Sequence, residues 1–454
     1  MPFEPLRFIH ATGAYLGRQL VFNDATEGAP EDILEGATES AFERLITVSI
    51  DERVDFVLLV GNSFEHEACS PRDEAVLRDG LQRLADHDIR VFVLAGAADP
   101  AIAWRRFENL PDHVTPFYQD RSEPVACLRD GKVIATIAAG ALGDTTESET
   151  TEHNERLSEE SGRGPFRIGM INTQSQMEKR SPRTAGRIGR RNRDDLANSG
   201  RLREDELPVS ISNSTTDYVA VGGADARQTV TLRQGIAHNP GRTQGFSHHD
   251  TGPRGCTLVD VDADGTVLCK FVPTAPVRWE SFRLDIDRQT NREQLIDLMQ
   301  NSLQRCRAEP TEQLWLVNWT VHGIGPLFAQ LHDEAFRSSL TDVITQERVS
   351  GEGFVVSHGF CLLSDEQHLQ SFATDDSLLA EYLELMQTAA RDPRKSFAAS
   401  VDHSVYADHV WLDHLRSLIP EVDPEVVLGR ARYFGEKWFA TLAEKQSPDH
   451  GPVR

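Results

Sequence analysis

The stretch Val54-Asp55-Phe56-Val57-Leu58-Leu59-Val60, closed by Gly61, decides the fold. A short, nearly continuous apolar run ended by glycine reads as a strand buried on both faces. Phe42, Leu45, Ile46 and Ile50 recur at helical spacing before it, and Leu77, Leu81 and Leu84 after it. Further out lie two more strand candidates, Leu6-Arg7-Phe8-Ile9-His10 and Arg90-Val91-Phe92-Val93-Leu94-Ala95, the second ended by Gly96. Strand–helix–strand–helix–strand order implies an α/β class with right-handed crossovers and largely parallel pairing. Phe166 to Ile171 before Asn172, and Tyr218 to Val221 before Gly222, repeat the pattern. Thr257 to Val261 and Thr266 to Val272 flank Asp262-Ala263-Asp264-Gly265, which signals a β-hairpin.

Pro273, Pro276 and Arg278-Trp279 change the texture, so a boundary is expected near 275. Three units follow: 1–275, 276–375 and 376–454. The second has a helix over 291–306 and a strand at Leu314 to Val321. The third reads helical. Leu378, Leu379, Leu383 and Met386 form one apolar stripe; Trp411, Leu412, Leu415, Leu418 and Ile419 form another.

The chain has 454 residues and a formal net charge of −24. That balance argues against a protein that coats nucleic acid over its whole surface, though not against a local basic patch. No apolar run is long enough to span a bilayer, so no membrane role is expected. The start, Met1-Pro2-Phe3-Glu4-Pro5, lacks a basic and apolar leader. The six cysteines are scattered, without a C-x-x-C pair. Free thiols in a cytoplasmic protein are the expectation.

In an α/β sheet, ligands bind outside the carboxyl ends of the strands. Here those ends are Thr12-Gly13-Ala14-Tyr15, Gly61-Asn62-Ser63, Gly96-Ala97-Ala98-Asp99, Asn172-Thr173 and Gly222-Gly223-Ala224-Asp225. They are poor in the His and Asp clusters that a metal hydrolase needs. His10 reads as a hydrogen-bonded core histidine, and Asp99, before Pro100, as the cap of the turn that follows, with a vestigial site role second. His248-His249-Asp250 reads as loop hydrogen bonding, with metal binding as the minor alternative. Cys256 and Cys269, flanking the hairpin, read as core thiols.

Phe8-Ile9-His10-Ala11-Thr12-Gly13-Ala14-Tyr15-Leu16-Gly17 resembles the opening motif F-I-H-T-A-D-x-H-L-G of SbcD/YhaO-like DNA repair exonucleases, which are calcineurin-like metallophosphoesterases. Val54 to Glu65 resembles V-D-F-V-L-x-x-G-D-x-F-D. Val91 to Pro100 resembles V-F-V-x-x-G-N-H-D-P, and Asp217 to Gln228 resembles D-Y-x-x-x-G-H-x-H-x-x-Q. Pro240-Gly241-Arg242-Thr243-Gln244-Gly245 is similar to P-G-N-x-Q-G, and Thr251 to Cys256 to the T-G-P-K-G-C that follows. The resemblance spans about 6 to 330. It implies an α+β sandwich of two β-sheets flanked by helices, then a small α+β cap and a helical tail. It also implies two Mn²⁺ ions as the family's cofactors.

The departures fall on the ligand positions. The family's first-motif Asp and His fall on Gly13 and Tyr15, and its bridging Asp on Asn62. Its Asn and catalytic His fall on Ala97 and Ala98, the next His on Asn172, and the last two His on Gly223 and Asp225. No catalytic residue and no metal ligand is therefore expected. At most one weakly held Mg²⁺, on oxygens of Asn62, Asn172, Asp225 and Tyr15, is conceivable.

The strongest basic feature is Lys179, Arg180, Arg183, Arg187, Arg190, Arg191 and Arg193, continued by Arg201 and Arg203. It reads either as a phosphate-contacting DNA footprint or as a solvated loop. The expectation is a non-catalytic subunit of a DNA repair or maintenance complex. It would bind DNA or an SMC-like ATPase, with a homodimer left open. The alternatives are an active Mn²⁺-dependent exonuclease using displaced ligands, and a scaffold unrelated to DNA.

Overall fold

The computed structural model describes residues 3–20, 30–107, 110–118, 122–140, 164–173, 216–345, 348–349, 353–364, 378–391, 427 and 431. The first sheet holds β1 (Leu6–Ala11), β2 (Phe56–Val60), β3 (Arg90–Leu94) and β4 (Val114–Phe117) in parallel. The hairpin of β11 (Gly255–Val261) and β12 (Val267–Pro273) adds antiparallel to β1, so the order is β12-β11-β1-β2-β3-β4. The expected parallel alternation thus covers four strands, and the chain returns late to supply the other edge.

A second sheet runs β5 (Val125–Arg129), β6 (Lys132–Ala139), β7 (Phe166–Asn172), β8 (Tyr218–Gly222), β10 (Ile236–Asn239), β9 (Gln228–Thr231). Phe8, Phe56 and Phe92 from the first sheet meet Phe166, Ile168 and Tyr218 from the second in one dry core. The first sheet's other face buries Ile9, Val57 and Val93 under α2 (Ala37–Asp51) and α3 (Pro71–Asp86). Those two helices follow α1 (Glu31–Glu35) and precede α4 (Ala101–Trp104). Ser70 starts α3: its side chain accepts from Asp73 N, Asp73 reaches back to Ser70 N, and Pro71 occupies the first turn. Two facing sheets form the expected sandwich, and among the described residues the helices cover the outer face of the first sheet.

The two sheets come closest at their carboxyl ends. Thr12 Oγ1 donates to Val60 O at 2.6 Å. A Cβ on Gly222 would lie 1.9 Å from Val60 O, so only glycine fits. Gly222→Ala must force the sheets apart, with an expected loss of about 2–3 kcal/mol, the scale of core overpacking. Urea unfolding checks it, and an unchanged midpoint would contradict the close approach.

The third sheet begins at β13 (Val277–Ile286) and continues through β14 (Leu314–Gly323) and β16 (Gly353–Ser364) in parallel, with β15 (Arg348–Val349) antiparallel at the edge. One face buries Trp315, Trp319 and Val321 beneath α5 (Arg292–Gln304), α6 (Pro326–Gln330) and α7 (Glu334–Thr345). Its other face turns to the first domain. Val277, Trp279, Leu314, Leu316 and Val356 pack with Tyr15, Leu20, Leu34 and Phe246.

α8 (Leu378–Arg391) is the described part of the tail; on it Met386 is buried and Leu385 is 63% exposed. The side chains of Leu378, Leu379 and Leu383, the stripe from Trp411 to Ile419, and the basic run Lys179 to Arg203 lie outside the described residues. Among the described residues, no helix is long and apolar enough to cross a membrane.

Candidate functional site

The strand ends named from the sequence converge. Gly13 N donates to Gly61 O at 3.1 Å, and Tyr15 N to Asn62 O at 2.9 Å, tying the turn after β1 to the turn after β2. Asn62 Oδ1 accepts from Ala98 N at 3.0 Å, which adds the turn after β3. A Cβ on Gly61 would lie 2.0 Å from Asn172 Nδ2, which adds the end of β7. Gly223 N reaches Thr12 Oγ1 at 3.4 Å, which adds the end of β8. Gly13, Tyr15, Asn62, Ala98, Asn172 and Gly223 therefore surround one crevice. Ala97, in the same turn as Ala98, is exposed, and Asp225 stands at the rim with its side chain 51% exposed.

The backbone here is held in unusual conformations. Gly13 (φ 61°), Gly61 (φ 77°) and Gly223 (φ 86°) are left-handed, but so are Tyr15 (φ 45°) and Asn62 (φ 58°). Asparagine tolerates that region. For tyrosine it is strained, by about 1–2 kcal/mol. The hydrogen bonds from Tyr15 N and Leu16 N to Asn62 O and Ser63 O hold it there.

Asp99 ties the turns after β2 and β3 together from within. It is fully buried and accepts from Asn62 N (2.7 Å), Ser63 N (2.9 Å), Gly96 N (2.7 Å) and Trp104 Nε1 (3.1 Å). Burial pushes its carboxyl up to about 6, against those four donors, which favour the charge. From the sequence it is expected to cap the turn that follows, but α4 starts after Pro100 with no side-chain cap; Asp99 instead pins the turn that leads into it and the turn after β2, because its buried carboxyl faces their N–H groups.

The side chains at the crevice bond to one another. Asn62 Nδ2 donates to the Tyr15 hydroxyl at 2.9 Å. Arg242, which sequence reasoning did not single out, enters between Tyr15 and two carboxylates. Its Nη2 is 2.6 Å from Asp225 Oδ1, and its Nη1 lies 3.0 and 2.9 Å from the two oxygens of Asp250. Burial opposes its charge, but Asp250 and Asp225 overcome that and hold the guanidinium above its ordinary value. The available signal was an arginine at the asparagine position of P-G-N-x-Q-G.

Of the other sequence candidates, His10 is a core histidine, its Nδ1 2.9 Å from the Tyr218 hydroxyl. Asp250 makes loop hydrogen bonds, accepting from Phe246 N at 2.9 Å as well as from Arg242. The His248 ring lies 3.9 Å from that of His249 and 6.4 Å from that of His358. Among the described residues, no three His, Cys, Asp or Glu side chains are placed to hold a metal ion. Cys256 is a buried free thiol and Cys269 a partly buried one.

The cap covers this region. Gln244 Nε2 donates to Val277 O at 2.8 Å, and Trp279 Nε1 donates to Gly245 O at 3.1 Å. The Tyr15 ring meets Phe246 edge-on at 5.3 Å, and Tyr15 is only 4% exposed.

No family model matches the chain. The curated relative "Uncharacterized metallophosphoesterase YhaO" of Bacillus subtilis (strain 168) is 27% identical over 307 residues, 66% of this chain and 68% of that protein. A solved dimetal phosphatase from Danio rerio aligns over 61% of this chain and 100% of its own, at 11% identity and a TM-score of 0.28, too low to carry an argument. By sequence, then, the chain is similar to a metallophosphoesterase, and its two facing sheets bring their strand ends together at one place.

Proposed function

We propose that this protein is a catalytically degenerate SbcD/YhaO-like chain that serves as a non-catalytic DNA- or ATPase-binding subunit in DNA repair or maintenance. The observation that carries this reading is that the crevice side chains are committed to one another. A two-metal phosphodiesterase holds its ions about 3.5–4 Å apart, clamping the attacking and leaving oxygens. Its ions repel, and anionic or imidazole ligands must offset that. Gly13, Ala97, Ala98 and Gly223 bring no side-chain ligand. Asn62 is a neutral amide whose Oδ1 already accepts from Ala98 N. The Tyr15 hydroxyl accepts from Asn62, and Asp225 is paired with Arg242. These residues do not fit a metal pair, and a single Mg²⁺ would have to share oxygens that already accept from Ala98 N, Asn62 Nδ2 and Arg242.

Tyr15 adds a steric argument, since its ring belongs to the core under the cap rather than to an open cleft. The DNA arm of the reading rests on the basic run from Lys179 to Arg193. Phosphate contact by such a run makes affinity fall steeply with salt. The ATPase arm rests on the apolar stripes of the tail.

Pure protein supplied with Mn²⁺ is expected to turn over neither DNA nor a simple phosphodiester. Any trace rate should persist in Asn62→Ala and Asp225→Ala, marking it as a contaminant. Near-stoichiometric Mn²⁺ with turnover abolished by EDTA would establish the active exonuclease instead. DNA binding whose logarithm falls linearly with log salt, and weakens when Arg187, Arg190 and Arg191 become alanine, would support the DNA arm.

A further inference from the structure

Asp225 and Asp250 converge on the enclosed guanidinium of Arg242 through contacts of 2.6 to 3.0 Å, while a second guanidinium, that of Arg254, stands farther off, 3.9 Å from the Asp250 carboxylate, and donates to the Asp250 and Asp225 carbonyls. The Arg242 side chain is 16% exposed and that of Asp250 only 6%. A carboxylate so withdrawn from water needs a cation beside it. Arg242 also lies against the first-motif positions. Its Cγ would sit 3.2 Å from a Cβ on Gly13, and its guanidinium carbon is 5.7 Å from the Tyr15 ring centre.

We propose that Arg242 is a built-in cation that takes over the charge role of metal ions at this crevice, holding the loop from Pro240 to Asp250 in place without any ion. The inference rests on reading the crevice as non-catalytic. Guanidinium suits the task because it is always charged, weakly hydrated, and forked to match carboxylate oxygens. Its effect extends to the cap. Asp250 Oδ2 also accepts from Phe246 N at 2.9 Å, and Phe246 packs with Val277 and Trp279. Gly252 N donates to Trp279 O at 2.9 Å from the same loop. Trimming Arg242 should therefore leave an anionic pocket that accepts a small cation, with guanidinium the best match.

The test is thermal unfolding of the full chain with millimolar guanidinium, Mg²⁺ or Mn²⁺, against sodium at equal ionic strength. Arg242→Ala should lower Tm by roughly 6 °C or more, the scale for uncovering a buried charge. Guanidinium or a divalent ion should restore at least half of that loss, sodium should not, and the wild type should not respond. Adding Asp250→Asn should abolish the rescue. Arg242→Lys should keep most of the stability. Arg242→Met keeps an apolar stem beside Tyr15 without the charge; it should behave like the alanine variant and takes its place if that variant does not fold. A Met variant as stable as wild type, or no cation response in either variant, overturns the proposal. The readout is stability, so its failure leaves the assays for turnover and DNA binding untouched. Mn²⁺-dependent turnover by the wild type would remove the non-catalytic reading by itself.

Discussion

Asp99→Ala is expected to lower stability by about 4 kcal/mol or more, seen as a large fall in the urea midpoint with little change in far-UV circular dichroism. The substitution strands three backbone N–H groups and the Trp104 indole N–H in a site with no solvent exposure. Each buried donor left without an acceptor costs ~1–3 kcal/mol. A water can enter the space and recover part of that, which is why the expected loss is below the sum. Trp104→Phe removes one donor and should cost only ~1 kcal/mol beyond its packing change. An Asp99→Ala loss below ~1 kcal/mol would mean that the two turns hold without their shared acceptor. The prediction matters for function because the same turns present Asn62 and Ala98.

Acidification below pH 6.5 is the second large effect. Burial pulls His238 from 6.5 down to about 3, its ring nitrogens bonded to the Thr229 and Thr257 hydroxyls. Burial, with His238 adding to it, drives His10 well below its ordinary value. Burial and the neighbouring His248 bring His358 to about 4. Each of these histidines takes a proton more readily when unfolded. Its stabilising contribution is therefore complete above 6.5 and is lost as pH falls toward the folded value, at ~1.4 kcal/mol per pH unit. Asp99 works in the opposite direction. Burial raises its carboxyl from 3.8 to about 6, so below pH 6 the folded state gains protons first and recovers ~1.4 kcal/mol per unit. The net expectation is a loss of stability as pH falls from 6 to 5, with the carboxyls of Asp99 and Glu312, both raised by burial, offsetting part of the three histidines. Urea midpoints at pH 7, 6 and 5 measure it, and a flat or rising series would refute it. His10→Gln should make the slope shallower.

The strands that form the site were legible because their signal is local. Continuous apolar runs ending at Gly61, Gly96 and Gly222 mark β2, β3 and β8, and the glycines sit where the chain turns or the sheets touch. The hairpin of β5 and β6 went unread although Asp130-Gly131, both with positive φ, is a strong two-residue turn signal. β5 is a sheet-edge strand without a clean apolar run, and β6, although Val133 to Ala139 is nearly all apolar, is rich in alanine and broken by Thr136, so its run stood out less. The long β16 was also missed, as was α7, whose apolar face is sparse. At the crevice, the residues Gly13, Tyr15, Asn62 and Asn172 could each be named from the sequence at a strand end. Their contacts could not, because Arg242 meets Tyr15 across more than two hundred residues of chain and only folding brings them together.

Tyr15 belongs to two structures at once: it ends the turn after β1 and fills the underside of the cap. Its history and its mutational behaviour are therefore coupled to residues far away. A change at position 15 alone, for instance to histidine, would leave a void beneath Trp279 and place a polar ring against Phe246 and the Arg242 guanidinium. Restoring a carboxylate at Gly13 alone would crowd the stem of Arg242. Substitutions at 13, 15 and 242 should consequently be strongly non-additive, as expected of residues in direct contact. Such a region behaves as a lock: with the third sheet packed over a tyrosine, single substitutions meet a stability barrier, and only concerted change at several sites gets past it.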